Sequence, residues 1–313
     1  MMMDFIPDTN DVIVIMTAIL STMFAILAGM VYIQTPAKNG RFAFYPCPKT
    51  EASKYAYEKY HTYYSPIWMG IFGIIVIFQL YETWSAKQYN TYLLILALPC
   101  VLQPILAPSA FFNSPDAHRP LSERYATKAN IWLAIYTFIG NYWYTHYFYS
   151  VLKASYSMPS TRLNNVPIAM FFATHFYFSS YHVFSNCMLR KIRTSFEAGV
   201  KRRILYVSTV FVLSYFTAFM ETLTISSFPY YSFEDRNMAY VVGSAFYGIY
   251  FLVSFPAFYE FELDIDRDDT HTRSVKKLTI WGTIVESCGY GMMIMCLLDF
   301  VRLYIGIPLV VGA

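Results

Sequence analysis

Seven ionisable side chains stand inside stretches that are otherwise apolar: His146, His175, His182, Glu221, Glu286, Asp299 and Arg302. An ionisable group in a membrane span costs roughly 2.5–3.5 kcal/mol on insertion scales, so its retention points to function. The chemistry these types suit is proton transfer, since histidines and carboxylic acids give and take protons most readily. Their spacing is helical. His175, Ser179, His182 and Asn186 recur at i, i+4, i+7 and i+11, and Ser214, Thr217, Glu221 and Thr224 at i, i+3, i+7 and i+10. Each set is one face of a helix. Asn141 and Thr145 share a third face, with Tyr142, His146 and Tyr149 on the adjoining one. Three consecutive polar stripes imply a polar seam inside a bundle. At 1.5 Å per residue, His146, His175 and Glu221 lie about 9, 13 and 8 Å from the same end of their spans. The three are therefore expected to meet in one half of the membrane. His182 lies deeper, and Glu286 falls in the other half. Asp299 and Arg302, three residues apart near a helix end, read as a structural ion pair. A single histidine in a span also reads as a hydrogen bonder between helices.

The elements that must position these groups follow from composition. Of 313 residues, 56% are hydrophobic, 19% aromatic and only 14% charged, against about 25% charged in soluble domains. Mean hydropathy is +0.37. Eight runs are long enough to span a bilayer, which takes about 20 residues: 11–34, 62–84, 90–112, 129–152, 166–189, 204–226, 238–260 and 279–304. The second and third carry Pro66, Pro99, Pro104 and Pro108 and read as a hairpin of kinked spans. With eight spans, alternate connections hold 18 of the 23 Lys and Arg. By the positive-inside rule those connections are cytosolic and both termini lumenal. The expected fold is an all-α, polytopic integral membrane bundle of about eight helices.

Several classes are set aside at this level. The five cysteines have no zinc spacing. No nucleotide-binding or zincin motif occurs, so neither a cofactor nor a metal is expected, and no nucleic-acid partner. The first eleven residues carry Asp4, Asp8 and Asp11 and no basic residue, unlike a signal peptide. The acidic stretch 260–269 reads as a solvated cytosolic loop, and 229–236 as a lumenal loop that either caps a pocket or merely connects helices. Tyr142, Trp143, Tyr177, Tyr181 and Tyr215 lie too deep for interfacial belts. Deep aromatics among His and Glu suit a pocket for a large apolar ligand whose chemistry passes through a cation. A transporter or receptor would explain the polar seam as well.

From 128 onward the sequence carries long distinctive strings: KANIW at 128–132, GNYWYTHYF at 140–148, ASYSMPS at 154–160, NNVP at 164–167, TH at 174–175 and YHVFSN at 181–186. ET at 221–222, ISSFPYYSFEDR at 225–236, YFLVSFP at 250–256 and LDFVRL at 298–303 continue them. In these strings the chain resembles the cycloeucalenol cycloisomerase family of cyclopropyl sterol isomerases. The resemblance covers roughly 41–306. It divides the chain into an extra N-terminal anchor at 1–40, a seven-span isomerase domain at 41–306 and a short lumenal tail at 307–313.

The resemblance implies a reaction, the opening of the cyclopropane ring of cycloeucalenol to give obtusifoliol, without redox change or cofactor. It also implies an endoplasmic reticulum membrane and a sterol partner within the bilayer. Ring opening needs an acid, a base and a dry cavity that stabilises a cation. Burial favours the neutral form of a carboxylic acid. On this reading Glu221 with His175 forms the acid side, and His146 or His182 is the base or a relay. Trp143, Tyr147 and Tyr181 face the cation, and Asn141 and Asn186 orient the histidines or the sterol hydroxyl. Three rivals stand beside it: an isomerase that shifts a ring double bond, a non-catalytic sterol carrier or receptor, and a transporter.

Overall fold

The computed structural model describes residues 9–144, 147, 153–226, 228–266 and 277–306. The chain is built from long helices. They are α1 (Thr9–Tyr32), α2 (Ala52–Ile77), α3 (Ala86–Leu106), α4 (Tyr125–Ile139), α5 (Ile168–Ser195), α6 (Val200–Ser226), α7 (Arg236–Glu260) and α8 (Ile280–Tyr304). Five of them, α1, α3, α6, α7 and α8, are long and apolar enough to cross a membrane. Isoleucine, phenylalanine and methionine side chains stay exposed along these helices, among them Ile15, Ile19, Ile95, Phe211, Met292 and Phe300. An apolar exterior of that extent marks a membrane surface.

Local sequence explains where the helices begin and bend. Ser85 and Gln88 form a reciprocal capping box at the start of α3, and Thr279 caps α8 through the Gly282 amide. Pro99 and Pro104 lie inside α3. Tyr60 and Tyr64 of α2 reach its backbone, donating to the Pro99 and Leu96 carbonyls at 3.0 and 2.7 Å. That lashes the kinked hairpin together. Helix α2 starts ten residues before the expected span, because its charged first turns are satisfied inside the protein. Lys54 donates to the Tyr259 and Phe261 carbonyls, and Glu58 pairs with Arg190.

Helix α4 continues directly into a wider π turn, Gly140–Tyr144, counted with it below, and α7 contains one at Ala239–Gly243. Such bulges occur disproportionately at functional sites. Gly140 is required by close approach. A Cβ there would lie 3.0 Å from the Tyr250 ring and hydroxyl.

The connections hold two small antiparallel pairs that an all-helical reading does not anticipate. Strand β1 (Ala154–Tyr156) pairs with β4 (Tyr231–Phe233), Ser155 opposite Ser232. Strands β2 (Arg162–Leu163) and β3 (Val166–Pro167) form a hairpin whose Asn164 and Asn165 both have positive φ, at 51° and 62°. Asparagine tolerates that region. Trp132, Tyr136, Phe178, Phe251, Phe255 and Phe258 make the centre of the core, at the junction of α4, α5 and α7. Helix α1 packs at the edge through Val12, Met16 and Leu20 against Phe219 and Tyr240.

The stretch 260–269 is not the solvated loop expected, as far as residue 266. Glu262 pairs with the buried Lys128, and Asp266 with Arg119 and Ser53. Its acids clamp the α7–α8 connection onto α2 and α4. Asp299 and Arg302 do form an ion pair, at 2.6 Å.

Candidate active site

A cavity opens where α4, α5, α6 and α7 meet under the β1–β4 pair. It encloses about 100 Å³, and with its mouth about 800 Å³ of atom-free space. Its walls are Thr137, Gly140 and Asn141 of α4, Met170, Thr174 and Phe178 of α5, and Glu221, Thr222 and Ile225 of α6. Gly243, Tyr247 and Tyr250 of α7 complete the sides, and Tyr156, Tyr231 and Phe233 form the cover. Both π turns therefore contribute a wall residue. The stretch 229–236 supplies part of the cover through β4.

Glu221 is the acid of this cavity. Tyr247 donates a hydrogen bond to its Oε2 at 2.9 Å. No cation pairs with Glu221 among the described residues. A carboxyl group bonded to one phenol in a largely apolar wall is suited to giving up a proton rather than to pairing with a cation. Asn141 lies on the α4 wall. Its amide donates to the Thr137 carbonyl at 2.9 Å and to the Thr174 hydroxyl at 2.6 Å, tying α4 to α5. The Thr174 hydroxyl in turn donates a hydrogen bond to the Met170 carbonyl at 2.9 Å.

The stripe on α5 exists but faces another way. His175, Ser179, His182 and Asn186 are all buried, whereas the α5 residues at the cavity are Met170, Thr174 and Phe178; Tyr181 packs against Phe178 and Phe251. His175 Nε2 pairs with Asn130 Oδ1 on α4 at 3.0 Å, not with Glu221. His182 bonds through Nδ1 to the Phe178 carbonyl at 2.8 Å. Its Nε2 has no protein partner among the described residues. The ring is enclosed by Trp132, Tyr136, Phe178, Phe255 and Phe258. Asn186 donates to Glu58 Oε1 at 2.9 Å, so it serves a buried ion pair and not a histidine.

Two of the expected aromatics lie elsewhere. Trp143 is 47% exposed and packs on Tyr142. Tyr147 is buried and donates to the Met295 carbonyl of α8 at 3.2 Å. His146 lies outside the described residues. Tyr247, Tyr250, Tyr156 and Tyr231 escaped sequence reasoning because tyrosine, unlike histidine, is ordinary in a membrane span. Only their place in the strings at 154–160, 225–236 and 250–256 pointed to some of them. Glu58 and His61 escaped because 35–61 read as a loop.

Fold and site together define an α-helical protein with apolar helices suited to a membrane and a cavity whose described wall holds one carboxyl group, Glu221, and four tyrosines. No protein-family model and no solved structure matches the chain. It is 38% identical over 261 residues to the cycloeucalenol cycloisomerase of Arabidopsis thaliana, an overlap of 82% of this chain and 88% of that protein. The chain belongs to the cycloeucalenol cycloisomerase family and is an isomerase.

Proposed function

We propose that the protein opens the cyclopropane ring of a 4-methyl cyclopropyl sterol, converting cycloeucalenol to obtusifoliol, with Glu221 as the acid. The observation that carries this reading is Glu221 itself: a carboxyl group on the cavity wall whose Oε2 accepts a hydrogen bond from the Tyr247 hydroxyl. The relative named above supplies the substrate class.

The steps follow from the substrate. Glu221 delivers a proton to the cyclopropane methylene carbon. The bond from that carbon to the neighbouring ring carbon breaks, and the methylene becomes a methyl group. Positive charge appears on the ring carbon left behind. The faces of Phe178, Tyr231 and Phe233 stabilise it without offering a nucleophile. A base then takes a hydrogen from the adjacent ring carbon, and the electron pair becomes the double bond. His182, with an unshared nitrogen behind the wall residue Phe178, and His146 are the candidate bases. His175 acts at one remove, through Asn130. Asn141 holds α4 against α5 and shapes the wall, and Tyr181 packs behind it on Phe178 and Phe251. Trp143, Tyr147 and Asn186 support the surrounding helices.

In the same reading all eight long helices span an endoplasmic reticulum membrane, with both termini lumenal. Residues 1–40 form an added anchor, 41–306 the isomerase domain and 307–313 a lumenal tail. The 18 basic residues on alternate connections support this orientation.

The test is expression in yeast that lacks this activity, feeding of cycloeucalenol and analysis of sterols by mass spectrometry. Obtusifoliol is the expected product. Cycloeucalenol left unchanged by protein present in the membrane would sink the proposal. In heavy water, a general acid that exchanges with solvent places one deuterium in the new methyl group.

A further inference from the structure

Two connections far apart in sequence are stitched together at one end of the bundle. The chain leaving α1 runs beside the end of α5. The Ala37 amide donates to the Ser195 carbonyl at 2.9 Å, and the Arg41 amide to the Thr194 carbonyl at 3.0 Å. The Glu197 amide donates to the Thr35 carbonyl at 2.9 Å, and Pro36 and Phe196 form an isolated bridge. Gln34 Nε2 donates to the Lys201 carbonyl, in the first turn of α6, at 3.3 Å. Helices α1 and α6 are both long and apolar enough to cross a membrane. The ends joined here therefore stand at the level of a bilayer surface.

The stitching concentrates positive charge. Residues 34–44 and 191–204 hold seven Lys and Arg but one acid, Glu197. Two of the seven are committed to the fold. Arg193 pairs with Glu260, and Arg202 donates to the Arg193 and Phe196 carbonyls. Lys191 lies over the Phe44 ring, 4.0 Å from its centre. Lys38, Arg41, Lys201 and Arg203 are exposed and form no ion pair among the described residues. An excess of one sign repels itself, and an anionic partner removes that penalty.

Two phenylalanines of the same segment face outward. Phe42 is 53% exposed and Phe44 44%. Phe42 has a φ of 49°, a left-handed conformation rare for a bulky residue. It is held there from both sides. The Arg41 amide is tied to the Thr194 carbonyl, and the Ala43 amide donates to Thr194 Oγ1 at 3.1 Å. Strain that the surroundings enforce is a mark of function. Packing does not account for it, because the side chain it displays is exposed. Aromatic rings beside Lys and Arg at a bilayer surface make an interfacial anchor, with rings at the acyl boundary and cations at the headgroups.

We propose that this end of the bundle binds an anionic phospholipid. Lys38, Arg41, Lys201 and Arg203 meet the acidic headgroup, and Phe42 and Phe44 enter the acyl boundary. A free phosphate would engage the cations but leave both rings in water, so the rings select a lipid. Both connections are among those whose charge reads as cytosolic, and the cytosolic leaflet is the one rich in anionic lipid. The site is remote from the cavity. From Thr174 to Thr194 is about 30 Å along α5, at ~1.5 Å per residue. The proposal does not rest on the ring-opening reading.

The experiment uses the full chain in phosphatidylcholine nanodiscs that carry spin-labelled phosphatidylserine or, in parallel, spin-labelled phosphatidylcholine. Electron paramagnetic resonance reads the fraction of label immobilised on the protein. Wild type is expected to hold phosphatidylserine several-fold more strongly than phosphatidylcholine, and high salt should shrink that preference. Changing Lys38, Arg41, Lys201 and Arg203 together to Gln should lower it about tenfold or to none. Lys87→Gln, in another connection, should leave it unchanged. Phe42→Gly relieves the left-handed strain, so it should weaken retention while the unfolding temperature holds or rises, a split that a merely structural residue would not give.

Equal retention of the two lipids by wild type, a preference that salt does not alter, or full preference in the quadruple variant would overturn the site. An equal loss in Lys87→Gln would overturn its location, and full retention in Phe42→Gly the role of the rings. Where the quadruple variant does not fold, Lys38→Gln with Arg41→Gln, both on the exposed segment after α1, decides in the same way. No readout involves the sterol, so failure here leaves the ring-opening reading intact.

Discussion

Two buried glutamates show how differently the same side chain is treated in two regions of this molecule. Glu58 on α2 is fully buried, and both its oxygens meet the Arg190 guanidinium, at 2.7 and 2.8 Å, with Asn186 as a third donor. Glu221 on α6 meets the Tyr247 hydroxyl and borders a cavity. The first carboxylate is neutralised on the spot by a bidentate cation. The second has neither a cation nor a filled surrounding. A saturated charge pins helices, and an unsaturated acid beside a cavity is available for chemistry. Position along the chain does not distinguish them, but partners do.

That contrast breaks most sharply at Glu221. Glu221→Gln keeps the shape and the hydrogen bond from Tyr247 but removes the proton to be donated. Turnover is expected to fall by about 10²–10⁴-fold, the usual contribution of general acid catalysis. The amount of folded protein, read by size-exclusion chromatography in detergent, stays the same. Residual activity near wild type would move the acid elsewhere.

Glu58 should behave in the opposite way. Arg190→Met leaves a buried carboxylate without its cation, and breaking such a pair costs about 3–5 kcal/mol. The expected outcome is a large drop in thermal unfolding temperature in detergent, with turnover per folded molecule nearly unchanged. Replacing both partners, Glu58→Leu with Arg190→Met, should recover most of the loss, because no charge is then stranded. A double variant as unstable as the single one would show that the helices need the charges themselves.

The same contrast explains what could be read from sequence. Glu221 was legible because it sits in a run of apolar residues with helical spacing, and its cost in lipid advertises it. The helices of the bundle were legible for the same reason. Glu58 was not, because it lies in a stretch rich in Lys, Glu and Tyr that reads as a loop, and only its pairing with Arg190, 132 residues away, makes it helical and buried. The α5 stripe was legible as a face but not by its neighbours. Thr174 and His175 are successive residues about 100° apart on a helix, so one borders the cavity while the other meets Asn130 of α4. No periodicity within one helix reveals which neighbour it confronts. The cover was legible in part, since 229–236 stood as one possible cap, but its β1–β4 pairing was hidden because three-residue strands carry too little pattern to register.

A smaller effect tests whether the cavity's shape matters beyond its acid. Gly140→Ala places a Cβ about 3.0 Å from the Tyr250 ring. The ring must give way, and overpacking of this kind costs typically about 1–3 kcal/mol. Since Gly140 and Tyr250 both border the cavity, the expected result is a several-fold rise in KM with a modest loss of stability. An unchanged KM would mean that the substrate does not reach this wall.

The smallest effect is expected at Arg193 and Glu260, which form an ion pair with both side chains about half exposed. Water competes for each group, and holding two long side chains together costs rotamer entropy. Exposed pairs therefore contribute about 0–1 kcal/mol. Arg193 also lies over the Tyr259 ring, 5.2 Å from its centre, so a change to Ala removes packing as well as charge. A double-mutant cycle with Arg193→Gln and Glu260→Gln separates the two contributions, because Gln retains most of the stem. The coupling energy from thermal unfolding should fall below about 1 kcal/mol and shrink further at high salt. A coupling as large as that of Glu58 with Arg190 would mean that exposure does not decide the strength of pairing in this protein, and would undercut the distinction between the two glutamates.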